Sequence, residues 1–274
     1  MSAPARPGDG RAPQAGAPVR SRRRTTAPLL RLLRSEIELA LARPRTAVAL
    51  GAAALVPVLG TVALSTTGPE QYAYVLGVVM VALAEPAAFS LGMPVVLVAA
   101  DAFAAERARG TLDGLRLSPV GPGRLVLMKA SAVAAAAVLT SAVVVGTSLL
   151  VGWLSLGAGP FGTGPTLARA LLLAVWAAGQ LTGFGILLLA VSAAARRSSV
   201  VVAAGLIALV VAPLMAVLWG PAAPALPTGH WHEVLAATVR SPADTGAAWA
   251  TTLRAAGFAV AGAGVTGFVL SRNS

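Results

Sequence analysis

The side chains able to do chemistry in this chain of 274 residues are few and unevenly placed. Asp101, Glu106, Arg107, Arg109, Asp113, Arg116, Arg124 and Lys129 crowd into one stretch, DAFAAERARGTLDGLRLSPVGPGRLVLMK, and an uncharged run from Ala130 to Ala168 follows it. Both signs of charge in a short segment suit recognition of a soluble partner, because complementary potentials set register and orientation. Glu85 stands alone inside an apolar stretch. A charge there costs about 3 kcal/mol on insertion scales, so it is expected to face a bundle interior or a translocation path. Pro86 beside it loosens the backbone and frees carbonyls for the same path. His230, His232 and Glu233 make the one further grouping, around Trp231.

Bond-making chemistry is poorly provided for. The chain has no cysteine, which removes thiolate nucleophiles, thiolate metal sites and disulfides. His230 and His232 are two residues apart, on opposite sides of any helix, and no further ligand type is close, so no metal site is expected. Trp231 is instead expected to anchor a short helix in the outer headgroups. No H-E-x-x-H motif occurs, and both histidines share one loop, so no serine–histidine–acid set can be drawn. The single lysine, Lys129, follows Met128 and precedes Ala130. It therefore cannot belong to a phosphate-cradling G-x-x-x-x-G-K-[ST] loop. No catalytic residue and no cofactor is predicted, and the chain is read as a non-enzyme.

The elements that must position these residues are membrane spans. Hydrophobic residues make up 57% of the chain and charged residues 11%, against roughly half and a quarter in soluble domains. The apolar residues come in blocks of about 20 or more, enough to cross a bilayer. Six spans are predicted, at 46–66, 75–100, 125–156, 167–195, 200–219 and 248–270, which makes the fold class an all-α polytopic membrane protein. Gly68-Pro69, Gly157 to Pro160, Gly164-Pro165 and Pro221, Pro224 and Pro227 mark the turns between them. Gly179 and Gly183, four apart, permit a close helix crossing, within the bundle or between copies. Arg196 and Arg197 are expected to cap the end of the fourth span.

Two segments precede the spans. Residues 1–28 are rich in Pro, Gly, Ala and Arg with no apolar face, and are predicted to be a disordered basic cytosolic tail. The membrane domain is taken as 29–274. At its start LLRLLRSEIELALAR reads as an amphipathic helix, with Leu30, Leu33, Ile37 and Leu41 on one face. It is too charged to span, so it is placed in the membrane interface, and Pro44 ends it.

Charge sets the orientation. The net charge of +11 is not a nucleic-acid signal, because the basic residues bunch at the ends of apolar blocks. With the N-terminus inside, 18 of the 21 basic residues fall on inner segments, and only Arg169, Arg240 and Arg254 fall outside. The positive-inside rule then places both termini and the 101–129 loop in the cytosol. Within that loop Ala104, Ala105, Ala108, Leu112 and Leu115 recur at helical spacing. Gly110 interrupts the helix, Thr111 can cap a short second turn, and Pro119 stops it.

This loop resembles the cytosolic loop of ABC-2 type transporter permeases, which has the form E-x-x-x-G-T-L-x-x-L-x-x-S-P-V followed by a lysine at the next span. Glu106, Gly110, Thr111, Leu112, Leu115, Ser118, Pro119, Val120 and Lys129 carry the match. Asp113, Gly114 and the Gly121-Pro122-Gly123 turn depart from the usual pattern. The resemblance implies the permease half of an exporter in a bacterial plasma membrane. It implies a coupling helix, here Glu106, Arg109, Gly110, Thr111, Leu112, Leu115, Ser118 and Pro119, that is pushed by a separate ATP-binding subunit. It also implies a second permease copy or a paralogue. The competing expectation is a membrane scaffold that recruits a soluble partner through the same loop without transport.

Overall fold

The computed structural model describes residues 27–66, 73–108, 110, 121–219, 226, 231–240 and 244–272, and within them no strand occurs. In chain order the helices are α1 (Ala27–Leu41), α2 (Pro44–Thr66), α3 (Val75–Leu83), α4 (Glu85–Ala102), α5 (Ala104–Ala108), α6 (Pro122–Ser155), α7 (Thr163–Ala194), α8 (Ser198–Leu218), α9 (Trp231–Val239) and α10 (Gly246–Arg272). The tail expected at 1–28 lies almost wholly outside the described residues, although its last two positions already belong to α1. Among the described residues five helices, α2, α6, α7, α8 and α10, are long and apolar enough to cross a membrane.

The stretch read as an amphipathic helix falls on α1, which starts two residues earlier than expected. Leu33, Ile37 and Leu41 turn partly inward, while Arg31, Arg34 and Glu38 stay exposed. Arg34 and Glu38 form an i,i+4 ion pair at 2.7 Å on that exposed face, where such a pair stabilises by about 0.3–0.5 kcal/mol. Pro44 opens α2 instead of merely ending α1. Its fixed φ and missing N–H suit the first position of a helix, where that donor has no intrahelical partner.

The second predicted span, 75–100, is not one helix. Its backbone turns extended at Ala84 (φ −61°, ψ 158°), so α3 ends after nine residues and α4 starts afresh at Glu85. Pro86 explains the position, because it has no N–H to donate one turn back and its ring clashes there. Pro94, inside α4, leaves that helix unbroken. The six expected spans are thus five long helices plus a broken pair.

Packing gives the bundle two large apolar cores and a small cluster of Ala100, Ala104 and Val201. One, near the end that carries α1 and α5, gathers Val95, Ala99, Phe103, Val133, Phe184 and Leu189. The other, at the opposite end, gathers Tyr74, Leu76, Val144, Leu173, Trp176 and Trp231. Trp231 corrects an expectation. It is 3% exposed and meets Trp176 edge-on with ring centroids 5.2 Å apart, so it anchors α9 into the bundle and not into headgroups. Trp176 Nε1 in turn donates to Thr251 Oγ1 at 2.9 Å, which fastens α7 to α10. At the same end the Arg169 guanidinium lies 3.8 Å over the Phe161 ring and donates to the Arg240 carbonyl.

Small residues let α7 and α10 run close together. A Cβ on Gly183 would sit 2.5 Å from the Ala255 carbonyl oxygen, and one on Gly262 would sit 2.6 Å from that of Ile186. Gly179, the other half of the glycine pair, has nothing within 4 Å of its would-be Cβ. Of that pair, Gly183 serves packing within the bundle.

Candidate functional site

Three charges of the 101–129 segment, Asp101, Glu106 and Lys129, sit where α1, α2, α4, α5 and α6 converge. Asp101 ends α4, an unfavourable place for a carboxylate because the helix dipole is negative there. Its compensation comes from the residues either side of Pro44: Arg43 and Arg45 both donate to Asp101 Oδ2. The Asp101 side chain is only 4% exposed, and Arg43 and Arg45 are 31% and 49% exposed.

Lys129 lies nearly two turns into α6, and its side chain is 6% exposed. The ammonium donates to Glu36 Oε2 of α1 at 3.0 Å and to Glu106 Oε1 of α5. Burying a lone ammonium would cost several kcal/mol, so the two carboxylates are a condition of its being there. The two ends of the loop motif, Glu106 and Lys129, therefore meet, and α1 is clamped to both.

The short helix α5 is held by α7 as well. The backbone turns at Phe103, and the amides of Phe103 and Ala104 both donate to Ser192 Oγ at 3.2 Å. Ser192, fully buried, thereby satisfies two N–H groups that open α5. Arg107 reaches back the other way. Its Nη1 and Nη2 donate to the carbonyls of Ala195 and Ala193, each at 2.6 Å, and so cap the C-terminal end of α7. The cap expected from Arg196 and Arg197 is supplied by Arg107, and those two arginines point outward, exposed. Charged hydrogen bonds of this kind are each worth about 1.5–3 kcal/mol.

Gly110 then takes φ +71°, a left-handed turn that ends α5, with its N–H donating to the Arg107 carbonyl at 3.1 Å. Glycine adopts that conformation without the Cβ penalty. Of the predicted coupling residues, Glu106 and Gly110 are placed here. Arg109, Thr111, Leu112, Leu115, Ser118 and Pro119 lie outside the described residues. Glu85 and Pro86 open α4 at the break in the second apolar segment, and their side chains likewise lie outside.

The arrangement changes the meaning of the charge cluster. Asp101, Glu106, Arg107 and Lys129 are occupied within the bundle: Glu106, Arg107 and Lys129 fasten α5, and Asp101 fastens α4 to the α1–α2 junction. Between the two ion-pair groups lies a cavity of about 200 Å³, lined among others by Glu36, Arg43, Asp101, Glu106 and Lys129.

Glu36, Arg43 and Ser192 were not singled out from sequence. Two of them left a signal. Glu36 falls between Leu33 and Ala40 on the apolar stripe of α1, and a charge on such a stripe calls for a buried partner. Arg43 and Arg45 bracket a proline at a helix junction, which aims both toward one neighbour. Ser192, in an apolar helix with nothing to mark it, left none.

No individual curated protein matches the chain. A family model does: the one described as ABC-2 family transporter protein matches residues 41–214, well over half of the sequence. The matched stretch runs from the end of α1 through most of α8 and takes in the broken helix, the clamped α5 and the partners of Asp101 and Lys129, apart from Glu36. Helical among its described residues, with five membrane-length helices there, and matched over that span, the chain belongs to the ABC-2 transporter family and is one of its multi-pass membrane proteins.

Proposed function

We propose that this chain is the permease subunit of an exporter in a bacterial plasma membrane, with its spans forming the path and a separate cytosolic ATP-binding subunit supplying the drive. Family membership implies such a partner. The observation that carries the reading further is the clamping of α5. A lever must be stiff at its root, and Ser192, Arg107 and the Lys129 pairs hold α5 to three other helices. Residues 109–120, which carry the rest of the loop motif, begin where that clamp ends. They are the segment on which the ATP-binding subunit bears, with Arg109, Thr111, Leu112, Leu115, Ser118 and Pro119 as its contacts.

The chain crosses the bilayer six times, with α3 and α4 together making the second crossing. Irregular backbone at membrane depth persists only inside protein or along a polar cavity, which supports reading the Ala84 break and Glu85 as part of the translocation path. A scaffold has no use for such a break. Eighteen of 21 basic residues on one side put α1, α5 and both termini in the cytosol. Two permease copies, identical or paralogous, complete the transporter.

Two experiments test this. Affinity purification from the native membrane is expected to bring down an ATP-binding protein in stoichiometric amount, and its absence would sink the reading. Topology is open to cysteine scanning because the chain has no cysteine of its own. Thr163→Cys is expected to react with an impermeant maleimide from outside intact cells and Ser199→Cys only after permeabilisation. The reverse pattern would invert the topology.

A further inference from the structure

The cavity beside α1 has a charge arrangement that the coupling reading does not use. Its wall has two ends of opposite sign. At one, Asp101 is paired with two arginines, which leaves an excess of one positive charge; at the other, Lys129 is paired with two glutamates, which leaves an excess of one negative charge. A fixed dipole of that kind inside a small cavity is complementary to a small zwitterion.

A second observation points to a ligand that donates hydrogen bonds. Asp101 lines the cavity at 4% exposure, and its Oδ1 is buried with no hydrogen-bond partner among the described residues. Both arginines take Oδ2. A buried carboxylate oxygen left without a donor loses of order 1–3 kcal/mol, so an incoming donor is favoured there. Glu36 and Arg43, each 31% exposed, stand at the accessible side. Leu39, on the same wall of α1, is 64% exposed. Charged side chains leading into a pocket beside an exposed apolar one are what a headgroup with its acyl chain outside would meet.

We propose that this cavity binds the phosphoethanolamine headgroup of a phospholipid, with its phosphate at Arg43 and its primary ammonium, which carries three N–H donors, at Asp101 Oδ1, Glu36 and Glu106. The volume of about 200 Å³ suits a headgroup and not a whole lipid. The bound lipid bridges α1 to α4 and α5. The placement of α1 at headgroup depth rests on the topology proposed above.

The full chain in detergent tests this by native mass spectrometry with added lipids. Phosphatidylethanolamine is expected to be retained roughly tenfold better than phosphatidylcholine, which has no N–H donor, or phosphatidylglycerol, which has no cation. Glu36→Gln is expected to abolish the preference. Ala40→Leu, which fills the cavity from α1 with every charge retained, is expected to do the same and guards against loss of fold. Equal retention of the three lipids, or a preference that survives both variants, would overturn the proposal. Soluble phosphoethanolamine separates the sources: competition by it shows that the headgroup suffices, and a lipid-only preference shows that the chains contribute. Labelling of Ala42→Cys in intact cells reads the side on which α1 lies, so a wrong topology is seen apart from a failed detergent experiment.

Discussion

Lys129→Met will destabilise the folded chain by about 3–5 kcal/mol, among the largest effects expected of any single change. The ammonium is 6% exposed and holds two carboxylates, Glu36 on α1 and Glu106 on α5. Without it those acids face each other at the edge of an apolar core. Glu36 is 31% exposed, so solvent screens part of its charge and the lower end of the range applies. The double variant Lys129→Met/Glu106→Gln leaves one acid instead of two, and is expected to recover part of the loss. Thermal unfolding of the four proteins of this cycle in one detergent checks it. Equal melting of Lys129→Met and the native chain would show that the clamp contributes nothing.

The second large effect is at the α7–α10 crossing. Gly262→Val would place its Cβ 2.6 Å from the Ile186 carbonyl oxygen, and Gly183→Val would place its own 2.5 Å from that of Ala255. Each obstacle is backbone, which has no rotamer to yield, so the helices must part. Overpacking of this kind costs about 1–3 kcal/mol, and separation also strains the Trp176–Thr251 bond beside it. Folded yield after extraction is expected to fall sharply for both variants. Gly179→Ala and Gly264→Ala are the controls: neither Cβ meets anything within 4 Å. Both are expected to be neutral or to stabilise by up to about 1 kcal/mol through helix propensity. A Gly262→Val chain that folds like the native one would refute the close crossing.

The elements legible in the sequence are those whose signals are local. Blocks of apolar residues and their Gly–Pro boundaries are local, so α2, α6, α7, α8 and α10 emerged with ends within a few residues of the observed ones. The stripe of α1 was readable for the same reason. The break at Ala84 was half legible. Pro86 announced a disturbance, but Pro94 carries the same signal and its helix continues, so proline alone does not say which position yields. Direction of charge was the hidden part. A two-signed cluster reads alike whether it faces solvent or its own bundle, and only tertiary structure shows Asp101 turned to Arg43 and Lys129 turned to Glu36. Trp231 failed in the same way, since an aromatic beside polar residues suits an interface and a core equally until Trp176 is placed against it.

The clamp makes Glu106 a poor site for the decisive test. A change at Glu106 disturbs Lys129 and the fold together, so lost transport would say little about a partner. Leu112 and Leu115 carry the motif beyond the clamp. The measurement that bears most directly on the permease reading is ATP turnover and partner retention in the purified complex carrying Leu112→Asp/Leu115→Asp. The account predicts that this chain inserts and melts like the native one, while the ATP-binding subunit is lost or hydrolyses ATP without cargo stimulation. A complex that stays intact, with hydrolysis still coupled to transport, would contradict it.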